Sequence, residues 1–417
     1  MTAWCWLVLG AISCMVSWTY MHRVLLPWEY YGNVSQKRLK DQMGDLYPRW
    51  VGTRELLLNH RNPYGPDVSH QIQVAFYGHP IEQNYAPGSE IVDEQRFVYP
   101  VYAVFLLAPT VHADFDTLQA WAPVVLGAMI ALSVLLWPAA LRWQLSPLVT
   151  IAIGLILLST PQIAQGLRLR QLGFLVFFLL TLASFCVTRN HLFAAGVLLA
   201  VATIKPQMIA LCLVWFLTWA VGDWSKRWTL VAGFSGALAV LVGGGELLLP
   251  GWPRYFLEGL QAYRKYFPTT SPIRLILGNW MGGTVSLLAL AVLLIHSWHK
   301  RKVAADSPEF LDLLALFFLA STLILPIFTP YNQVLLLPPC LLLIRRWKTL
   351  SKFGRLIFVT LFAWPLVFSI VLLFDRPDVN SLHRTPLLPS LPVLVTPLLI
   401  CWLTFTRQAR PLQVPVH

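Results

Sequence analysis

Long apolar runs separated by short polar connections make up most of this chain. A helix that crosses the hydrocarbon core of a bilayer needs about 20 consecutive apolar residues. Runs of this kind recur along the whole sequence, so the pattern predicts an all-α polytopic membrane protein with about 12 transmembrane helices. The predicted runs are 3–20, 117–141, 147–158, 172–187, 191–204, 208–221, 228–249, 285–298, 310–328, 333–344, 356–374 and 391–405.

One polar stretch, residues 27–96, departs from this apolar pattern. It contains nine of the 19 acidic residues of the chain. General acid–base chemistry needs a carboxylate that water and substrate can reach. We therefore expect this large first loop to hold part of a functional site, within one integral membrane domain that spans residues 1–417. The nine carboxylates are Glu29, Asp41, Asp45, Glu55, Asp67, Glu82, Glu90, Asp93 and Glu94.

Composition supports a membrane protein and narrows the classes of partner. Hydrophobic residues form 57% of the 417 positions and charged residues only 12%, values outside the range of soluble domains. The net charge of +12 comes from basic residues at the ends of apolar runs, not from one basic stripe. Membrane lipids or a lipid-linked phosphate are therefore the expected partners, and nucleic acid is not.

The distribution of basic residues predicts which connections lie in the cytoplasm. Basic clusters occur in the short connections at 226–227, 300–302 and 345–348, and such clusters face the cytoplasm in most membrane proteins. Counting back through the runs also places the connections at Arg142 and Arg189 in the cytoplasm, and it places the remaining connections on the outer face of the cell membrane, where we expect the active site. These outer segments are 27–96, 165–171, 205–207, 250–280, 330–332 and 375–390.

The outer position of the first loop depends on the apolar stretch 97–111. This stretch is short and contains Pro100 and Pro109, and proline interrupts helices. It is therefore interpreted as a re-entrant segment that lines a cavity, where irregular backbone is tolerated. The alternative is that it crosses the membrane and one of the short runs between 147 and 204 does not.

Asp45 is the carboxylate of the first loop that we favour as a general base. It follows Gly44 in a polar turn, ahead of a helical pattern over 50–58 whose apolar side is suited to the membrane surface. Arg49 and Arg54 lie close enough in sequence to tune its charge. The alternative is that Asp45 only caps the following helix and pairs with an arginine.

Cations on the predicted outer face indicate an anionic ligand there. Lys205 lies between two apolar runs, where an ionisable group is costly unless it has a partner. Arg168, Arg170, Arg264 and Arg274 also fall on the outer side, against the usual bias of basic residues. Both residue types bind phosphate, arginine with two parallel bonds. The alternative for Lys205 is an ordinary lysine that extends from a helix end into water.

Other candidate ligands in the first loop carry less weight. Tyr64 is an aromatic side chain suited to stacking on a sugar ring or to the interfacial belt. His60, His70 and His79 have separations that match no compact ligand motif, so no metal is expected. The sequence also has no glycine-rich phosphate loop before a helix, so no nucleotide cofactor is expected.

Several short motifs together resemble one known family. They are Asp45 in a large first loop, the Asn-Pro-Tyr turn at 62–64, the Phe-x-Tyr-Pro element at 97–100, the Gln-Gly-to-Gln segment at 165–171 and Ile-Lys-Pro-Gln at 204–207. In order and spacing these are similar to the polyprenyl-phosphate-mannose-dependent mannosyltransferase-like family of glycosyltransferase superfamily C. The resemblance covers about residues 40–210 and is only topological beyond them.

The resemblance implies an inverting glycosyltransferase that takes a sugar from a lipid-linked sugar phosphate. It assigns the catalytic base to Asp45 and a place near the donor phosphate to Lys205. The acceptor would be a glycolipid or polysaccharide of the cell envelope. The segment 165–171 departs from the usual pattern, since it has Gln-Gly and two arginines where a Gly-Gln pair and an Asn are expected, which leaves the sugar undetermined.

Two other functions fit the same composition. A transporter or flippase of lipid-linked sugars would bind the same ligand without transferring it, and would show inverted repeats and charged residues at mid-span. Glu246 is the one acidic candidate for such a role on the late helices. A polysaccharide ligase or polymerase usually has its large loop late in the chain, whereas the largest loop here comes first.

Overall fold

The fold is described by a computed structural model that covers residues 3–20, 43–81, 94–266, 270–325 and 329–350, with isolated positions at 23, 352, 354–356 and 359. All regular secondary structure assigned within these residues is helical. In chain order the α-helices are α1 (Ala3–Tyr20), α2 (Leu46–Asn59), α3 (Pro66–Tyr77), α4 (Val104–Leu107), α5 (Phe115–Ala140), α6 (Pro147–Leu158), α7 (Pro161–Arg168), α8 (Gly173–Thr188), α9 (Leu192–Ala202), α10 (Pro206–Gly222), α11 (Trp224–Leu248), α12 (Trp252–Tyr266), α13 (Pro272–Leu277), α14 (Asn279–His299), α15 (Pro308–Ile324) and α16 (Leu337–Arg345).

The helices follow the apolar runs closely. The bounds of α1 and α6 are those predicted from the sequence, and the other described runs differ from their helices by a few residues at each end. A serine at position 146 accepts a hydrogen bond from the backbone of Val149, which explains the start of α6. Almost all of the predicted run 356–374 and all of 391–405 lie outside the described residues.

Large aromatic side chains form the core between α10 and α15. The indole ring of Trp215 stacks on Phe317, with ring centroids 6.0 Å apart, and also contacts Phe310. On the neighbouring pair, the Trp137 indole of α5 donates a hydrogen bond of 3.0 Å to the Thr181 hydroxyl of α8. These contacts give the helix bundle a continuous buried core.

Two glycines allow α9 and α11 to pack with their backbones in contact. A Cβ atom at Gly196 would collide with the Leu230 carbonyl, and one at Gly233 would collide with the Phe193 carbonyl. Small residues are common where membrane helices approach closely. Helices α9 and α11 are thereby held together as one unit, and the connection 203–205 follows directly after α9.

Three described helices are long and apolar enough to cross a membrane on their own, namely α5, α11 and α14. The bent pair formed by α6 and α7 provides a fourth if it counts as one span. Several other apolar helices are shorter, with 10–17 residues. The all-helical class is confirmed and the chain is a membrane protein, but the predicted total of about 12 crossings is not confirmed.

Both ends of the segment 97–110 contact α2. It forms a 3-10 turn (Val101–Ala103), the short α4 and a second 3-10 turn (Ala108–Thr110). At its start the Tyr99 ring lies beside Arg49, and at its end the Thr110 carbonyl accepts a hydrogen bond of 3.1 Å from the Trp50 indole. Both ends of the segment therefore contact neighbouring residues of one helix, and its re-entrant position in the membrane stays a prediction.

Several connections predicted to be cytoplasmic lie together at one end of the bundle, which we call the basic end (141–146, 223–227, 299–307 and 345–348). Arg142 forms an ion pair with Asp306 at 2.8 Å, and Arg346 forms one with Asp312 at 2.7 Å. The Arg345 side chain donates to the Leu141 carbonyl. These contacts join connections that are far apart in sequence.

Arg227 holds the basic end together through side-chain hydrogen bonds to backbone carbonyls. Its guanidinium donates to the carbonyls of Trp219, Arg301 and Val303, at 2.7, 2.8 and 2.9 Å. It also lies 3.9 Å above the Trp219 ring. The planar fork of arginine serves several carbonyls at once, which the single ammonium of lysine cannot do.

We predict that Arg227→Lys lowers the apparent unfolding temperature of the full chain in detergent by several degrees. The substitution keeps the charge but loses hydrogen bonds from a charged group, each contributing roughly 1.5–3 kcal/mol. Thermal unfolding followed by tryptophan fluorescence measures the effect. Lys226→Ala, at the exposed neighbouring position, is the control and should behave like the parent protein. Equal unfolding temperatures for parent and Arg227→Lys would contradict this role.

Candidate functional site

Four segments from the predicted outer face meet at the other end of the bundle, which we call the site end. They are the turn at 43–45, the connection 169–172, the connection 203–205 and the 3-10 helix Pro330–Leu336. Helices α8 and α10 begin there and run toward the basic end. The connections predicted to be cytoplasmic therefore gather at the basic end, and the four predicted outer segments gather at the site end.

A tight backbone contact joins the first loop to the connection before α8. The backbone N–H of Asp45 donates a hydrogen bond of 2.9 Å to the Leu169 carbonyl. Gly44 has a φ of +57°, a conformation that residues with a Cβ rarely adopt. A Cβ at this position would also lie 2.9 Å from the same carbonyl oxygen. Glycine is thus required to bring Asp45 to this position.

Asp45 stands at the start of α2 but does not act as its side-chain cap. The helix begins at Leu46, four residues earlier than the predicted 50, because its first turn includes Pro48, which the sequence pattern did not count as helical. Asp45 occupies the capping position, yet its carboxylate makes no capping hydrogen bond. Its side chain is half-buried. The simple capping interpretation therefore does not explain this residue.

The Lys205 ammonium is buried between side chains of two other segments. Only 7% of the residue is exposed, so its side chain does not extend into water. Its Nζ donates long hydrogen bonds to Gln171 Oε1 at 3.4 Å and Asn332 Oδ1 at 3.3 Å. The same atom lies 5.3 Å from the centroid of the Tyr331 ring. These three partners come from the segments at 169–172 and 330–336.

Charges of the first loop act on Lys205, which lies between α9 and α10 and outside both helices. Burial lowers the pKa of its ammonium to about 8, the nearby Asp45 carboxylate raises this pKa, and Arg49 lowers it. Asp45 and Arg49 are therefore close enough to Lys205 to influence its charge. The structure brings together these three residues, which the sequence suggested separately.

Arg49 and Tyr64 connect Asp45 to the segment 97–110. An Arg49 guanidinium nitrogen donates a 2.7 Å hydrogen bond to the backbone carbonyl of Asp45. The same guanidinium lies 5.1 Å from the Tyr99 ring centroid. Burial raises the pKa of the Tyr99 hydroxyl, Arg49 opposes this, and Asp45 adds to it. The Tyr64 hydroxyl donates to the Tyr99 carbonyl at 2.6 Å, so Tyr64 supports the site and is itself buried.

A polar network holds the remainder of the described first loop in place. Glu55 accepts hydrogen bonds from Asn59, Gln71 and Arg61, at 2.9, 2.9 and 3.0 Å. Burial raises the pKa of the Glu55 carboxyl, but these bonds hold it below its usual value. Arg61 also pairs with the exposed Asp67 at 2.8 Å. The network joins α2 to α3 and provides a rigid support for Asp45.

The other predicted cations lie in different surroundings. Arg168 ends α7 and is half-buried. The Arg170 guanidinium donates to the Gln119 carbonyl of α5 at 3.2 Å and to the Arg168 carbonyl at 2.8 Å. Arg264 is exposed on α12, and the exposed Arg274 side chain lies against Gly283. The contacts described for Arg170 and Arg274 are therefore with parts of the chain other than Lys205.

The starts of two helices add positive potential near Lys205. Helix α10 begins at Pro206, directly after it, and α8 begins at Gly173, where a Cβ would lie 3.1 Å from the Lys205 Nζ. The N-terminus of an α-helix carries about half a positive charge. Together with the ammonium, the two helix starts favour an anion at this place.

Sequence reasoning missed three residues of this cluster, namely Gln171, Tyr331 and Asn332. Gln171 and Asn332 are almost fully buried, with 3% and 5% exposed. The available signal was their position, since both lie in short outer segments between apolar runs. Asp114 caps the start of α5, where its carboxylate accepts a 2.7 Å hydrogen bond from the Thr117 backbone. No group of metal-binding side chains occurs among the described residues.

Comparison with known proteins gives one match. A model of glycosyltransferase family 87 matches residues 97–326, more than half of the chain. The match includes Gln171 and Lys205, whereas Asp45 precedes it and Asn332 follows it. No curated protein and no solved structure shows significant similarity to the chain.

We predict that Gly44→Ala destabilises the protein more than Gly251→Ala. Both glycines have a positive φ, and forcing an alanine into this region costs roughly 1–2 kcal/mol. Only the Cβ at position 44 also meets another chain segment, whereas a Cβ at position 251 has no atom within 4 Å. Unfolding temperatures in detergent should therefore fall further for Gly44→Ala. Equal decreases would show that the contact with Leu169 is not tight.

Proposed function

Because the family match spans more than half of its length, the chain belongs to glycosyltransferase family 87 and is a membrane glycosyltransferase, and we propose that Asp45 and Lys205 form its active site. In this proposal Asp45 is the general base and Lys205 binds the leaving phosphate. The observation that supports it most strongly is that the Asp45 backbone is bonded to the Leu169 carbonyl at 2.9 Å, two residues before Gln171, whose amide oxygen accepts a hydrogen bond from the buried Lys205 ammonium.

The proposed reaction is an inverting sugar transfer in a single displacement. The hydroxyl oxygen of the acceptor attacks the anomeric carbon of the donor sugar and forms the new glycosidic bond. The bond between that carbon and the donor phosphate oxygen breaks, and its electron pair leaves with the phosphate. The acceptor proton passes to the Asp45 carboxylate. Asp45 suits this role because it is half-buried and not engaged as a helix cap.

Lys205 would stabilise the negative charge that develops on the leaving phosphate. Positive groups that are already fixed in place favour such charge without reorganisation during the reaction. Lys205 is held by Gln171 and Asn332 and lies between the starts of α8 and α10. Arg49, which binds the Asp45 carbonyl, adds a second positive charge on the same side.

We propose a polyprenyl-phosphate sugar as the donor, with mannose as the first sugar to test. A lipid carrier suits a site whose phosphate-binding cation lies at the ends of apolar helices, since the chain of the lipid can remain in the bilayer. The acceptor is proposed to be a glycolipid or polysaccharide on the outer side of the cell membrane. The outer location follows from the basic connections, which gather at the opposite end of the bundle.

Transport of a lipid-linked sugar without chemistry is the competing function. That role would use acidic residues inside the spans, for which Glu246 is the late-helix candidate. Instead, Glu246 is exposed and accepts a 2.7 Å hydrogen bond from the Gly251 backbone, closing the turn after α11. This local structural role favours transfer over transport.

We predict that Asp45→Asn lowers the rate of sugar transfer by about 10² to 10⁴, since general-base catalysis typically contributes this much. The asparagine side chain has nearly the same shape, so the variant should retain the parent unfolding temperature. Transfer from purified polyprenyl-phosphate mannose to membrane acceptors measures the effect. Asp67→Asn alters an exposed carboxylate of the same loop and serves as the control. Activity close to that of the parent in Asp45→Asn would refute the assignment.

We predict that kcat/KM for the donor falls as the pH rises above about 8. The pKa of Lys205 is lowered to about 8 by burial, so the ammonium is charged below this pH and loses its charge above it. The pH dependence of kcat/KM reports groups of the free enzyme. Lys205→Arg, which stays charged throughout this range, should lose the alkaline decrease, whereas Lys226→Arg should keep it. An unchanged decrease in Lys205→Arg would assign it to another group.

A further inference from the structure

Among the described residues, the hydrogen-bond and ring partners of the Lys205 ammonium are uncharged, and they come from separate segments. Gln171 and Asn332 each present an amide oxygen, at 3.4 and 3.3 Å, and Tyr331 presents its ring face. Amide oxygens and aromatic faces favour a cation without cancelling its charge. Buried charges in proteins are more often paired with an opposite charge. The surroundings of Lys205 differ from that usual arrangement.

The ionised groups that face Lys205 have opposite signs. Asp45 and Arg49, both from the first loop, act on the Lys205 ammonium in opposite directions. Both side chains are half-buried, so solvent weakens their effect. Neither amide partner changes the net charge, and the positive charge of Lys205 is therefore retained at the centre of the cluster.

Other contacts fix the direction of the Asn332 amide and the backbone position of Gln171. The Asn332 amide nitrogen donates a 2.6 Å hydrogen bond to the Thr329 hydroxyl, which turns its oxygen toward Lys205. The Gln171 backbone N–H donates to the Gly166 carbonyl at 2.9 Å, which holds the connection before α8 in place. Gly173 leaves room for the ammonium, because a Cβ there would lie 3.1 Å from Nζ and 3.4 Å from Asn332 Oδ1.

We propose that Gln171 and Asn332 are positioning residues that hold the Lys205 ammonium without neutralising it, so that the site binds a lipid phosphate by charge. An ammonium has three N–H donors, and the two amide oxygens take two of them. The third can then be donated to a phosphate oxygen. This inference rests on the proposed function, because it explains how the same lysine recognises the phosphate of the donor.

Substitutions at position 332 separate this role from a purely structural one. Asn332→Asp places a carboxylate at the position of the amide, which cancels the charge of Lys205 and repels phosphate. The same carboxylate stabilises the charged ammonium, so the loss of its proton moves to higher pH. Asn332→Ala removes an acceptor, so the loss of the proton moves to lower pH. Gln171→Glu should behave like Asn332→Asp.

The test is binding of a radiolabelled polyprenyl phosphate without a sugar to the purified full-length chain over roughly pH 7 to 10, where the phosphate monoester is fully ionised. The affinity at neutral pH should fall by about tenfold or more in Asn332→Asp and Gln171→Glu. The alkaline decrease in affinity should shift upward in these variants and downward in Asn332→Ala. Gln261→Glu, which adds the same charge on an exposed face of α12, is the control.

Parallel losses of affinity with an unshifted pH dependence in all three variants would overturn the inference, since they would indicate a structural role only. The outcome is independent of sugar transfer. The alkaline decrease in affinity could shift in opposite directions in the acidic variants and in Asn332→Ala while the enzyme transfers sugar from no lipid phosphate. That result would support the positioning role and reject the proposed donor. Normal sugar transfer together with an unshifted pH dependence of binding would support the proposed donor and reject the positioning role.

Discussion

A buried ammonium whose described hydrogen-bond partners are uncharged amides is the constraint around which the site end is arranged. Lys205 is 7% exposed and lies where two apolar helices meet, at the end of α9 and the start of α10. A charge in such a place is unfavourable unless dipoles or ligands stabilise it. The fold provides amide oxygens from two distant segments and an aromatic face. These contacts bring residues 171, 331 and 332 to one point.

The same constraint explains why the first loop must be held rigidly. The Asp45 carboxylate can act on the ammonium only because the Asp45 backbone is bound to Leu169, next to the segment that carries Gln171. Gly44 permits that approach, Tyr64 and Tyr99 brace it from the other side, and the Glu55 network fixes the far end of α2. At the basic end, Arg227 joins the connections that hold the opposite ends of the same helices. The two ends of the bundle are thus built from different interactions. One end has carbonyl and ion-pair contacts, and the other has a cation held by amide oxygens and an aromatic face, with Asp45 and Arg49 nearby.

Much of the helical architecture could be predicted from the sequence, because apolar runs of membrane length have few alternatives to the helix. The bounds of α1 and α6 were predicted to the residue. The start of α2 was not, since a proline inside the first turn was not counted as helical. Asp45 and Lys205 could be singled out because each is an unusual residue type for its surroundings. Gln171 and Asn332 were not singled out, because their position in short outer segments is shared by many other polar residues and only folding brings these two to a lysine. Arg264 and Arg274, which were selected because the predicted topology places them on the outer side, are exposed on surface helices.

Membership of glycosyltransferase family 87 establishes the class of enzyme, while the geometry of the first loop and Lys205 supports a particular location for its chemistry. The most direct test of that location is a structure of the full-length chain in complex with a polyprenyl-phosphate sugar. The account predicts that the phosphate contacts Lys205 and that the anomeric carbon faces the Asp45 carboxylate. A phosphate bound at the basic end, or one at the site end with its sugar turned away from Asp45, would contradict it.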